Sequence, residues 1–130
     1  MKISLQLLEG KFAVHRFSAN TQVPTEVHQT SFFSITRTNK ELSIVIPQSI
    51  SLGSDKQESD WRCLEVLGPL DFSLTGILAG ISDVLAKAKI SIFAISTFDT
   101  DYILVNSAKT QKAVNTLRSA DYTVIAEVAE

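Results

Sequence analysis

The stretch LTGILAGISDVLAKAKISIFAIS, residues 74–96, changes its apolar period partway and decides the fold. Its first part repeats apolar residues at steps of three and four, which predicts a helix with one apolar face. That stripe consists of Leu74, Ile77, Leu78, Ile81, Leu85 and Ala88. Its last part, from residue 90, is mostly apolar at successive positions, which predicts a strand with apolar side chains on both faces. A helix followed by a strand is therefore expected here.

The alternation of strands and helices continues on both sides of this stretch. WRCLEVL (residues 61–67) predicts a strand before the helix, and YILVN (102–106) and YTVIAEV (122–128) predict two more after it. A second helix is expected after Ser107, because apolar or small residues recur there on one side. They are Thr110, Ala113, Val114, Leu117 and Ala120. The order βαββαβ with right-handed crossovers predicts a ferredoxin-like α+β fold, a four-stranded antiparallel sheet with two helices on one face.

The first half of the chain is rich in predicted strands. KISLQLL (residues 2–8) and FAVHRF (12–17) flank Gly10, whose freedom to adopt a positive φ predicts a hairpin between them. SFFSITRT (31–38) and ELSIVI (41–46) predict a second hairpin, because β-branched and aromatic residues favour strands. A single helical turn is expected between the two hairpins.

The polar stretch PQSISLGSDKQESD, residues 47–60, has the composition of a connection. It predicts a boundary near residue 59. The expected organisation is a β-rich unit over residues 1–59 and the βαββαβ domain over residues 60–130.

Composition argues against several classes of function. A net charge of -2 and a pI near 5.7 give no positive field for nucleic acid, so no such partner is expected. Cys63 is the only cysteine, and His15 and His28 lie far apart, so neither an internal disulfide nor a metal site is expected. The apolar segment near the N-terminus is too short for a signal peptide, and no apolar run approaches the ~20 residues of a membrane span. The chain is expected to be cytoplasmic, without a membrane partner.

Catalytic patterns are missing from the sequence as well. It contains no Ser/His/Asp order, no reactive-cysteine context and no glycine loop that would hold a phosphate. We therefore expect no enzyme and no cofactor, with the acidic residues near position 100 as the one conceivable acid–base group.

Three segments carry a resemblance to a known family. They are GPLDFSLTGILAGISDVLAKAKISIFAISTFDTDYILV (residues 68–105), SFFSITRTNKELSIVIP (31–47) and WRCLEVLGPLDF (61–72). The chain resembles small bacterial proteins with paired ACT domains and is similar to the ACT repeats of CASTOR-type arginine sensors and aspartate kinases. The resemblance implies regulatory binding of an amino acid at an interface between ACT units. The first half lacks a convincing pair of helices, so it resembles an incomplete or atypical ACT unit.

The start of the first helix is one candidate site. Unpaired backbone N–H groups in a first helical turn attract an anion such as the carboxylate of a free amino acid. Gly76, expected in that turn, costs about 1 kcal/mol relative to alanine, so either close packing on the sheet or close approach of a ligand would explain it. The resemblance implies that this loop lines the site. The residues assigned to it are Phe72, Ser73, Thr75, Gly76 and Ile77.

The second candidate site is the polar segment between the strands SIFAIS and YILV. Asp99 and Asp101 suit a turn, because their side chains accept hydrogen bonds from the loop backbone. They offer too few oxygens for calcium or magnesium. The resemblance implies a third role, pairing with the cationic end of a ligand, with Thr97 and Phe98 lining the site and Thr100 completing the loop. The resemblance also implies an opposing wall, for which Ser34, Ile35 and Thr36 are chosen, although an ordinary sheet strand is the alternative.

These observations predict a non-catalytic module that senses a small amino acid. It would report binding through a homodimer or through a regulated protein partner. The alternative is a structural or assembly protein whose ACT-like units dimerise without a ligand. Apolar residues on both faces of SIFAIS favour self-association in either case.

Overall fold

The computed structural model describes residues 3–67 and 75–126. It divides the chain into two compact units. The helical unit consists of Met1–Glu9 and Arg62–Glu130, and the strand unit consists of Gly10–Trp61. The compact units group the first nine residues with the second half of the chain. The expected domains 1–59 and 60–130 stay a prediction.

The described residues form eight strands and two α-helices. They are β1 (Ser4–Leu7), β2 (Phe12–Phe17), β3 (Ser34–Arg37), β4 (Leu42–Pro47), β5 (Lys56–Val66), α1 (Ile77–Lys87), β6 (Ile92–Ser96), β7 (Asp101–Asn106), α2 (Thr110–Ser119) and β8 (Thr123–Ile125), with short 3₁₀ helices at Thr25–Gln29 and Ser107–Lys109. From β5 onward the order is βαββαβ, so the α+β, ferredoxin-like fold class is confirmed.

The sheet of the helical unit has the strand order β6-β7-β5-β1-β8. β1 pairs antiparallel with β5, where Leu5 lies opposite Val66, and parallel with β8, where Leu5 lies opposite Val124. The expected four-stranded antiparallel sheet was therefore wrong in one respect, because β1 lies between β5 and β8. Leu5 is fully buried in this position, and burying such a side chain contributes about 1.5–3 kcal/mol.

The core of the helical unit lies between its sheet and its two helices. α1 contributes Ile81 and Leu85, and α2 contributes Val114 and Leu117, all of them fully buried. These four residues belong to the apolar stripes that predicted the helices. Asn106 caps the turn before α2, because its side-chain oxygen accepts the Ala108 N–H at 2.9 Å.

The strand unit contains an antiparallel sheet in the order β3-β4-β2-β5. Its core consists of Phe17, Val27, Leu42, Ile44 and Ile46. Val27 lies in the 3₁₀ helix at Thr25–Gln29, as the sequence predicted for the turn between the hairpins. β3 and β4 form the second predicted hairpin, with Ser34 opposite Val45 and Arg37 opposite Leu42.

The predicted hairpin between the first two strands was wrong. β1 pairs with β5 and β8, whereas β2 pairs with β4 and β5. The reason is the length of β5, whose 11 residues pair with β2 over their first part and with β1 over their last part. The predicted connection over residues 47–60 was also wrong in its last part, because Lys56–Asp60 is exposed or half-exposed strand.

The start of α1 differs from the expectation too. The helix begins at Ile77, and Gly76 precedes it as the cap residue with φ 81°, so Gly76 is not in the first helical turn. Close packing does not explain Gly76, because a Cβ atom there would meet nothing within 4 Å. The left-handed backbone conformation explains it, since glycine adopts that conformation without a steric cost.

Candidate functional site

The hairpin between β6 and β7 places the predicted loop residues on one rigid turn. Ser96 lies opposite Asp101 at the end of the paired strands. The Thr97 N–H donates to the Thr100 carbonyl at 2.8 Å, and the Thr97 hydroxyl donates to the same oxygen at 3.0 Å. The Thr100 N–H in turn donates to the Thr97 hydroxyl at 3.2 Å. The Thr97 hydroxyl therefore holds the backbone of the turn through the N–H and the carbonyl of Thr100.

Thr100 also ties the turn to the rest of the helical unit. Its side chain is 6% exposed, and its hydroxyl donates to the carbonyl of Val66, the last residue of β5. The chain continues from β5 towards α1. The turn is thus anchored to the strand that precedes the other predicted half of the site.

Asp101 begins β7 and is half-exposed. Its Oδ1 atom accepts the Ser96 hydroxyl at 2.6 Å. A carboxylate has two oxygens and about four acceptor positions, so this bond leaves capacity for a cationic donor. The Ser96 bond fixes the direction of the carboxylate, which favours selective binding of a positive group.

The tip of the turn is open to solvent. Phe98 is 81% exposed, and Asp99 beside it is exposed as well. An aromatic ring and a carboxylate at neighbouring positions offer a cation both charge and a π face. The two predicted roles of the loop, turn formation and cation pairing, are therefore compatible in this geometry.

The strand pairing adds two residues to this region that the sequence did not single out as ligand contacts. Tyr102 follows Asp101, and its pKa is raised first by burial and then by the negative charge of Glu65 on β5, to which its hydroxyl is hydrogen-bonded. Asp99 raises the same pKa further. The negative charges of Glu65 and Asp99 therefore both act on Tyr102. The sequence feature that could have indicated this contact is Glu65, a charged residue within the otherwise apolar run CLEVL.

Three of the five residues predicted at the helix start are described. Thr75 and Gly76 are exposed, and Ile77 packs against the core of the helical unit. The Gly76 carbonyl accepts the Gly80 N–H at 2.8 Å, which closes the first turn. The backbone N–H groups that precede Gly80 in the chain have no carbonyl acceptor within the helix, as at the start of any helix. Phe72 and Ser73 lie outside the described residues, so their roles stay predictions.

Ser34, Ile35 and Thr36 lie on β3 in the strand unit. Ile35 packs against the core of that unit, Ser34 is half-exposed and Thr36 is exposed. All three pair with β4, and β3 ends the described strand order of this sheet. Their predicted role as an opposing wall stays a prediction.

Cys63 is buried on β5. Burial and then the charge of Glu65 raise the pKa of the Cys63 thiol to about 12, so it stays protonated and unreactive at neutral pH. Within residues 3–67 and 75–126, no three His, Cys, Asp or Glu side chains are grouped as metal ligands would be. None of the helices in these ranges has the length and apolarity required to cross a membrane.

Comparisons with known proteins identify the family of the chain. The family model of the ACT domain matches residues 56–119, and a second model, for an N-terminal domain, matches residues 10–50. The human protein CASTOR3P is 31% identical over 111 residues, which cover 75% of this chain and 68% of that protein. The cytosolic arginine sensor for mTORC1 subunit 1 from Pongo abelii is 34% identical over 114 residues, but the chain spans only 34% of its length.

Solved structures share the fold over most of the chain. A crystal structure of a protein from Agobacterium tumefaciens has a TM-score of 0.90 and 34% identity, covering 98% of this chain and 95% of that one. Aspartate kinase from Clostridium acetobutylicum has a TM-score of 0.65 at 17% identity, covering 87% of this chain and 33% of that enzyme, a likeness of fold alone. With its predicted resemblance confirmed, the chain belongs to the ACT-domain family and is related to the CASTOR proteins.

Proposed function

We propose that this chain is a non-catalytic regulatory module that binds a small amino acid between the turn Thr97–Asp101 and the start of α1. The observation that carries the proposal is the turn itself. Thr97 and Thr100 fix its backbone, and Ser96 orients the Asp101 carboxylate at 2.6 Å. A carboxylate held in one direction on a rigid turn is suited to pair with an ammonium or guanidinium group.

The two ends of an amino acid require opposite partners. The start of α1 offers backbone N–H groups and the positive end of the helix dipole to the ligand's carboxylate. Asp101 offers negative charge to the cationic end. Glu65 and Asp99, whose charges act on Tyr102, add to the negative field around the turn.

The relatives support a regulatory role. One is named as an arginine sensor, and a structural relative is the regulatory subunit of aspartate kinase from Thermus thermophilus. By analogy we propose that the module acts in the cytoplasm as a homodimer. Its ligand would control association with a regulated protein partner.

Thermal-shift measurements with each of the twenty amino acids test this function. A ligand that binds only the folded state stabilises it by about 2.7 kcal/mol at a hundredfold excess over Kd, so at least one amino acid should raise Tm. The same amino acid should raise the Tm of the Asp101→Asn variant less. If none of the twenty changes Tm at millimolar concentration, the ligand-free assembly protein becomes the better account.

A further inference from the structure

A buried histidine in the strand unit has one ring nitrogen that no described residue hydrogen-bonds. His15 lies on β2 and is 1% exposed. Its Nδ1 atom lies 2.8 Å from the Ser54 hydroxyl oxygen. Its Nε2 atom is buried and has no hydrogen-bond partner among residues 3–67 and 75–126. One ring nitrogen is satisfied and the other is not.

Apart from Ser54 and Gln57, the named neighbours of the ring are apolar. The His15 ring stacks on Phe17, with centroids 6.4 Å apart and planes inclined by 23°. Ile44 lies directly opposite on β4, and Gln57 lies directly opposite on β5. Phe17 and Ile44 belong to the core of the strand unit. The ring therefore projects towards this core.

The charged side chains on the described elements around the ring are exposed or lie on the opposite face of the sheet. None of them is a counter-ion for the ring. β4 contains no charged residue. On β5, Lys56 and Glu58 flank Gln57, so strand alternation directs both to the opposite face of the sheet. Asp55 next to Ser54 is exposed, and so are Glu26 and His28 on the 3₁₀ helix. On β2 itself, Arg16 is exposed on the other face.

Protonation of His15 would add a charge and a second N–H to this environment. The imidazolium donates from both nitrogens, and Nε2 would then be a buried donor with no acceptor in the described residues. Burying such a group is unfavourable, and desolvation accordingly lowers the pKa of His15 below its usual value of 6.5. The folded unit thus favours the neutral ring.

We propose that His15 makes the strand unit an acid-sensitive element, which is stable at neutral pH and loses stability as the pH falls below about 6.5. In the unfolded chain His15 takes up a proton at its usual pKa, whereas in the folded unit it does so only at lower pH. Between these pH values the unfolded state binds more protons, so acidification favours unfolding. Above the usual pKa the effect disappears because both states are neutral.

Chemical denaturation at pH 7.5 and 5.5 tests the proposal. Fluorescence of Trp61, which lies in the strand unit, and backbone signals should show the unfolding equilibrium constant of the wild type rising about tenfold at the lower pH, the amount expected when only the unfolded state is protonated. His15→Gln should remove most of this rise. His28→Gln is the matched control, because it removes an exposed histidine of the same unit and leaves His15 in place. An equal rise in the wild type and in His15→Gln would overturn the proposal.

A measurement on the unmodified protein covers the case in which His15→Gln does not fold. The imidazole C–H resonances of the wild type are followed by NMR from pH 8 to pH 5. The resonance of His15, identified as the one that remains in the His28→Gln variant, should titrate below 6.5 or not at all while the chain remains folded. Titration at or above 6.5 in the folded chain would contradict the proposal.

Discussion

Asp101 is the residue on which the proposed recognition depends most. Asp101→Asn keeps an oxygen that can accept the Ser96 hydroxyl, so the turn should remain, but the negative charge is lost. A hydrogen bond to a charged group contributes about 1.5–3 kcal/mol, and its loss corresponds to binding about 10- to 150-fold weaker. Titration calorimetry with the amino acid that raises Tm most measures this change.

A matched control for Asp101 lies on the same unit. Asp83 is exposed on α1 and pairs with Lys87 at 3.0 Å, a surface ion pair that contributes little. Asp83→Asn removes the same charge and should leave Kd unchanged. Asp99→Asn should weaken binding less than Asp101→Asn. Equal Kd values for the parent and Asp101→Asn would show that the carboxylate serves only the turn.

At the residue scale, the sequence predicted a turn in which Asp99 and Asp101 accept hydrogen bonds from the loop backbone. The turn is present, but the Thr97 hydroxyl holds its backbone, and Asp101 accepts the Ser96 hydroxyl instead. Glu65 could not be linked to Tyr102 from the sequence, because their contact depends on the pairing of β5 with β7. The unpartnered Nε2 atom of His15 could not be predicted either. The burial of a histidine on a strand depends on which residues pack against that face of the sheet.

At the scale of elements, the start of α1 depends on one backbone conformation. Gly76 has φ 81°, and a Cβ atom there would meet open space. We expect Gly76→Ala to lower the free energy of unfolding by about 1–2 kcal/mol, because alanine is strained in the left-handed region. Gly76→Asn should lower it less, because asparagine tolerates that region. Urea denaturation compares the three proteins.

The two variants separate backbone strain from a steric role. If alanine and asparagine are equally destabilising, strain at φ is not the reason for glycine. Gly76→Val adds a β-branched side chain above the helix start, and we expect it to abolish binding of the amino acid in addition to its strain. Unchanged binding in calorimetry would place the ligand's carboxylate elsewhere.

Helices and strands could be predicted from the sequence when the spacing of their apolar residues was sufficient to identify them. The stripe containing Ile77, Ile81 and Leu85 predicted α1, but the helix was expected to begin before Gly76, whereas it begins at Ile77. β1 was recognised as a strand, but its partner was not, since the same alternation suits a hairpin with β2 and the observed pairing with β5 and β8. Lys56–Asp60 was missed because an exposed strand of polar residues has the composition of a loop.

At the scale of the whole molecule, we expect self-association. Among the described strands, β6 lies at one end of the strand order in the helical unit, and Ile92–Ser96 contains no charge or proline that would oppose pairing with another chain. Light scattering at tens of micromolar should give at least twice the 14.3 kDa of one chain. A mass of one chain under these conditions would contradict the expectation.

A charged side chain on β6 tests where the chains meet. Ala94 is exposed on this strand, so Ala94→Lys should keep the fold and lower the mass observed by light scattering. Ala86→Lys places the same side chain on the exposed surface of α1 and should leave the mass unchanged. Equal masses for both variants would show that β6 is not part of the interface.

The binding of an amino acid next to the turn is the central claim, and one measurement tests it most directly. Backbone amide resonances are recorded while the amino acid selected by thermal shift is added to millimolar concentration. We predict saturable shifts concentrated at Thr97–Asp101 and at Thr75–Ile77, with few shifts at exposed positions of α2. Resonances that remain unchanged at both segments, with all twenty amino acids, would contradict the account.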